Sequence, residues 1–133
     1  MFQKSFALAS ENRVSGKDRK KIRSGLQRLY PRLSDDQLES VFPLKTGDCT
    51  VAKLKAPHRG QVYLLDGLPV VLDLNEKGDL LPTLNVLWEI PGLLPIIFVK
   101  HAAVSTFVLK GADLMLPGAV MPFEDGFLRG TLV

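Results

Sequence analysis

Six cations fall between positions 17 and 28 of this chain: Lys17, Arg19, Lys20, Lys21, Arg23 and Arg28. At roughly 100° per helical residue, Lys17, Lys20, Lys21 and Arg28 gather on one face, opposite Ile22, Leu26 and Leu29. Arg19 and Arg23 flank the apolar stripe instead. Four cations on an exposed face can meet successive phosphates of a polyanion, with binding that weakens as salt rises. The plainer reading is a solvated face that keeps the chain soluble, and composition alone favours neither. The stretch carries no dense aromatic interleaving, so readout of backbone or shape is expected rather than of base sequence.

Other chemistry finds little footing. His58 and His101 sit in separate segments, without neighbouring Cys, His, Asp or Glu at metal-ligand spacing. There is no Gly-rich phosphate loop, no Gly-x-Ser-x-Gly and no paired His. Cys49 is the single cysteine, which rules out an internal disulfide and cannot build a zinc site alone; it reads as structural. Asp35, Asp36 and Glu39 suit the first turns of a helix through capping and dipole effects. Trp88, beside Leu84 and Leu87, reads as core rather than as a stacking platform, and Met115 and Met121 as packing residues. No catalytic residue, metal ion or cofactor is expected, and the chain is not expected to be an enzyme. Residues 111–118 (GADLMLPG) admit two readings. One is a plain connector; the other is a surface where amides near Gly111 approach a phosphate or sugar, with Lys110 adding charge.

The elements that must position these groups follow from pattern. Of 133 residues, 46% are hydrophobic and 23% charged, as in a soluble globular protein. Residues 1–33 hold nine Lys/Arg against two Asp/Glu, a balance of +7. The remaining eight Lys/Arg against twelve Asp/Glu give −4, so positive charge is concentrated at one end. No apolar run approaches the ~18 residues of a membrane span, and no secretory h-region opens the chain. A cytoplasmic, reducing setting and no membrane partner are therefore expected.

Residues 1–8 alternate as a short strand. Ser15 and Asp18 mark a helix start, and Pro31 ends it. Ser34 to Gln37 reads as a capping box, with Leu38, Val41 and Phe42 on the buried side and Pro43 as the stop. Residues 50–55, 61–65 and 68–74 read as strands, the last two joined by the Asp66-Gly67 hairpin signal. Pro69 places its strand at an edge or near a strand start. Pro82 suits the first turn of a helix through Trp88, which should be heavily buried. Residues 91–95 (PGLLP) make the best domain junction. Beyond it are expected a strand at 96–99, a helix at 102–110 with Ala103, Val104, Phe107 and Val108 as its apolar face, and strands at 112–116 and from 127.

Several of these segments together resemble a known family. They are residues 112–122 (ADLMLPGAVMP) after a helix, 1–6 (MFQKSF), 15–23 (SGKDRKKIR), 81–88 (LPTLNVLW) and 91–95 (PGLLP). The combination is similar to the ligatin, or translation initiation factor 2D, family, and more distantly to the malignant T-cell-amplified sequence protein. The resemblance implies an α+β fold. Residues 1–92 would form a small pre-PUA domain with an antiparallel hairpin and packed helices. Residues 93–133 would form a truncated PUA-type β pseudo-barrel, its first half. It implies a module that binds the small ribosomal subunit and assists GTP-independent initiator tRNA delivery, reinitiation or recycling. Small-subunit rRNA is the implied partner, with initiator tRNA as a second. By position, Lys17, Arg19, Lys20, Lys21, Arg23 and Arg28 would face rRNA, and Lys110, Gly111 and Asp113 would lie at the RNA-facing edge of the second domain. An incomplete barrel edge would invite self-association. Two other functions stay open: a protein-interaction module docking through an exposed apolar edge, and the targeting domain of an RNA-modifying enzyme.

Overall fold

The Asp66-Gly67 pair sits where the hairpin signal places it, with φ of 50° and 81° at the two positions. Both are in the left-handed region that a two-residue type I′ turn requires, and Gly67 adopts it without a Cβ penalty. The computed structural model describes residues 7–55, 59–74 and 76–120. The turn joins two strands of a five-stranded antiparallel meander in the order β1-β2-β3-β4-β5. These are β1 (Leu8–Arg13), β2 (Cys49–Leu54), β3 (Gln61–Leu65), β4 (Leu68–Asp73) and β5 (Leu80–Pro82). Pro69 is the second residue of β4, beside a register shift between Tyr63 and Leu64. A bulge there accommodates the missing N–H. A strand runs Leu8–Arg13, whereas the strand expected at 1–8 falls mostly on residues 1–6, which lie outside the described residues.

Two helices follow from cap chemistry. In α1 (Gly16–Leu29) the Ser15 side chain accepts from the Asp18 N–H, and Asp18 sits in the first turn. In α2 (Asp35–Val41) Ser34 and Gln37 complete a capping box, each side chain bonding the other's backbone. α1 buries Ile22 and Leu26, whereas Leu29, 39% exposed, lies at the rim. α2 buries Leu38 and Val41, and Phe42 just beyond it is fully buried against the edge of the Tyr63 ring. Tyr30, which ends α1, donates its hydroxyl proton to the Leu80 carbonyl at 2.8 Å, tying the helix end to β5.

Helix α3 (Leu84–Glu89) departs from expectation twice. It starts after Pro82, which ends β5, with Thr83 as its N-cap. It is also not heavily buried: Val86 faces inward, while Leu84 and Trp88 are 65% and 72% exposed. Leu84 and Trp88 are four residues apart, so one rotation turns both outward together. That rotation is held by the Thr83 hydroxyl and the Asn85 amide, both donating to the Pro69 carbonyl. Trp88 is therefore a surface residue, not a core one.

The chain divides into two compact units, one running Phe6–Leu93 and the other including residues 94–120. The second unit contains α4 (Ala102–Leu109), which buries no residue. Its expected apolar face is largely solvent-facing, with Val104 half-buried and Phe107 63% exposed. The strand expected at 96–99 is reduced to one antiparallel bridge, Val99 to Ala119. The strand expected at 112–116 is instead irregular backbone leading to a 3-10 turn at Leu116–Gly118. Pro117 has no N–H for a ladder, and the turn closes through the Gly118 N–H to the Met115 carbonyl. Met115, 68% exposed, is thus not a packing residue. The strand expected from 127 and Met121 lie outside the described residues.

Candidate nucleic-acid interface

The two sides of α1 separate cations that are near neighbours in sequence. Lys17, Lys20, Lys21 and Arg28 are exposed, as the helical wheel requires. Among the described residues none of the four takes part in an ion pair; the pairs are Arg13–Asp48, Arg23–Glu39 and Lys53–Glu76. Four unneutralised cations within one arc of a helix set up a positive potential that an approaching polyanion meets first.

Arg19 has a different task. It is 7% exposed, and its guanidinium donates to the carbonyls of Thr46 and Gly47 at 3.0 and 2.9 Å and to that of Pro43 at 3.5 Å. The fork geometry lets one cation satisfy several acceptors of the loop between α2 and β2. Arg19 thereby leaves the set of RNA-facing candidates. Arg23, whose side chain is 15% exposed, pairs with Glu39 of α2 and reaches the Phe42 and Asp35 carbonyls. It fastens α1 to α2 and belongs with Arg19. The wheel positions of both, beside the apolar stripe, are the signal that marks them as inward-turned.

A groove of about 710 Å³ opens beside this face, between α1 and the sheet. Lys21, Gly25 and Arg28 form its helical wall. Its floor comes from one cross-strand row, in which Gln61 pairs with Asp73 and Asp73 with Leu80, together with Tyr63 two residues along β3. The loop after β4 supplies Lys77 and Gly78. Gln61 donates from Nε2 to the Tyr63 hydroxyl at 2.8 Å. Burial, reinforced by the nearby Asp73 charge, pushes the Tyr63 phenol up to about 12, so it is protonated at ordinary pH. Asp73 is 3% exposed; its Oδ2 accepts from the Gly78 N–H at 3.1 Å, and its Oδ1 has no hydrogen-bond partner among the described residues. Sequence reasoning missed this row, because Gln61, Tyr63 and Asp73 are brought together only by strand register.

Lys110, Gly111 and Asp113 fall in the other unit. Lys110 caps α4 and Gly111 follows with φ of 92°, its N–H bonding the Val108 carbonyl while the Ala112 N–H bonds that of Phe107. This is the paired closure of a Schellman motif, which consumes the very amides that could have met a phosphate. Lys110 and Asp113 are exposed. His101 is the exposed N-cap of α4, and His58 lies outside the described residues. Cys49 is buried on β2, where burial pushes its thiol up against the opposing effect of Arg19. No group of three His, Cys, Asp or Glu gathers at metal distance among the described residues, and none of their helices is long and apolar enough to cross a membrane.

With this geometry in hand, the chain can be set beside known proteins. The pre-PUA-like domain family matches residues 2–91, the stretch that holds the meander, α1, α2 and α3. The chain belongs to that family. The pre-PUA chain is also 38% identical over 125 residues to eukaryotic translation initiation factor 2D of Homo sapiens, covering 92% of this chain and 20% of that protein. The Bos taurus protein of the same name matches at the same identity, with 21% of its length covered. This chain thus spans about a fifth of the initiation factors it matches. Translation machinery-associated protein 20 of Saccharomyces cerevisiae is 28% identical over 129 residues, which are 93% of this chain and 67% of that one. A crystal structure of a hypothetical protein from Pyrococcus horikoshii shares the fold, with a TM-score of 0.59 and 21% identity over 84% of this chain and 65% of the other.

Proposed function

We propose that this pre-PUA chain is the RNA- and ribosome-binding module of a translation factor, with α1 as its rRNA-facing surface. The observation that carries the reading is the row of exposed cations Lys17, Lys20, Lys21 and Arg28 on one face of a helix, none of them ion-paired among the described residues. The names of the relatives, an initiation factor and a translation machinery-associated protein, supply the process. In this reading residues 1–92 are the pre-PUA domain and 93–133 begin a PUA-type domain. The extent of the family match and the division of the chain after Leu93 support that boundary. The module works in the cytoplasm. It holds its factor on the small subunit while initiator tRNA is delivered without GTP hydrolysis, or during reinitiation or recycling, and performs no catalysis itself. Lys110 and Asp113 offer a second, smaller contact.

Reversing Lys17, Lys20, Lys21 and Arg28 to Glu should abolish co-sedimentation with purified small subunits at low salt, while the circular dichroism spectrum is unchanged. Undiminished sedimentation of the folded variant would overturn the reading. A second reading draws on Ile96, Phe98, Phe107, Leu109 and Leu116, all large, apolar and exposed. If they dock a protein partner, association persists at high salt and is lost on changing those residues instead.

A further inference from the structure

We propose that the groove between α1 and the β3–β4 hairpin holds a single unpaired nucleotide of RNA. Lys21, Arg28 and Lys77 grip its phosphate, and the Watson–Crick edge of a guanine meets Asp73. The inference rests on the RNA-binding reading above and adds to it a site with base preference.

Size, charge and hydrogen bonding point the same way. The volume of about 710 Å³ lies within the range of small-ligand pockets. Its lining sets three cations, Lys21, Arg28 and Lys77, against three carboxylates, Asp18, Asp73 and Glu76. Glu76 is paired with Lys53 at 3.4 Å and Asp18 is bonded to its own N-cap serine, so both are engaged elsewhere. A nearly balanced lining suits a ligand with one anionic end and one hydrogen-donating end, and disfavours a polyphosphate.

Asp73 supplies the chemistry of the donating end. A buried carboxylate oxygen without a partner is costly, and a ligand donor that reaches it removes that cost. Asp73 lines the groove with Oδ1 itself buried, so the proposal requires the carboxyl to turn about its soft terminal torsion while the Gly78 amide retains the other oxygen. Guanine is the base with two adjacent donors, N1–H and N2–H, matched to a carboxylate. Tyr63 completes the match. Its oxygen accepts from Gln61, which leaves its own proton to donate to the guanine O6. Adenine presents an unprotonated N1 to a carboxylate and is rejected. Inosine retains N1–H but lacks the second donor.

The test uses the whole chain and short single-stranded RNAs carrying one guanosine, adenosine or inosine within uridine flanks, with binding read by fluorescence anisotropy. The guanosine probe should bind at least about tenfold tighter than either of the others, the discrimination typical of a paired contact to a base edge. Asp73→Asn should remove the preference, whereas Lys77→Ala should weaken all three probes alike. Equal binding of the three probes by the unaltered protein would overturn the proposal, and that comparison does not depend on any variant folding. Lys17 and Lys20 lie outside the groove lining, so the two readings can fail separately. A Lys17→Ala/Lys20→Ala variant that binds small-subunit rRNA as tightly as the parent contradicts the rRNA-facing α1 surface. A parent protein that binds rRNA but no base preferentially contradicts the groove alone.

Discussion

Helices α1 and α4 invert what hydropathy alone suggests. The charge-rich α1 buries Arg19, Ile22 and Leu26, while α4, with six apolar residues out of eight (AAVSTFVL), buries none. The difference lies in what each packs on. α1 approaches the sheet so closely that a Cβ on Gly25 would stand 3.0 Å from Leu80. The described residues of the unit around α4 offer one bridge, Val99 to Ala119, and Ala119 is their only buried residue beyond Leu93. Burial is decided by the surface an element meets; an apolar pattern only permits it.

The comparison can be broken first through the core. Leu26→Ala, at a site 3% exposed, should cost about 2–5 kcal/mol. Phe107→Ala, at 63% exposure, should stay within about 0.5 kcal/mol. Urea denaturation of the two variants checks both figures, and equal losses would dissolve the contrast. Next in size is the pairing of Arg19 with its neighbour Lys20. Arg19→Met strips the Thr46 and Gly47 carbonyls of their donor and should cost about 1–3 kcal/mol, whereas Lys20→Met should be nearly silent in stability.

A separate test, confined to alkaline solution, is a pH dependence anchored on the α1 side of the sheet. Burial pushes the phenols of Tyr30 and Tyr63 from 10.0 to about 12. Above pH 10 the unfolded chain releases phenol protons that the folded chain retains, so these two groups lower stability between pH 10 and about 12 and contribute no slope well below that window. These are the only two tyrosines in the chain, so tyrosinate absorbance reports them directly. Its appearance near pH 10 in the folded protein would contradict their burial.

How much of this was legible in the sequence depended on how local the cause was. Ser15 with Asp18, the Ser34–Gln37 capping box and the Asp66-Gly67 turn all act within a few residues, and each stands where pattern places it. The cationic face of α1 was equally readable, because it is set by helical period alone. The outward turn of Trp88 was not, since it depends on two side chains reaching the Pro69 carbonyl on the neighbouring strand β4. Nor was the loss of the 112–116 strand, where apolar residues without a neighbouring ladder close into a turn at Pro117. The Gln61–Asp73–Leu80 row needed the strand register, including the shift beside Tyr63, before it could be seen as one site. Arg19 lay between these cases: the wheel set it beside the apolar stripe, and only the fold supplied the carbonyls it holds.

The central claim, that the exposed cations of α1 bind RNA phosphates, is tested most directly by the salt dependence of affinity for small-subunit rRNA. Each phosphate neutralised adds about 0.7–0.9 to the slope of log affinity against log salt. Replacing Lys17, Lys20, Lys21 and Arg28 with alanine should therefore flatten that slope by about 3. An unchanged slope in a folded variant would contradict the account.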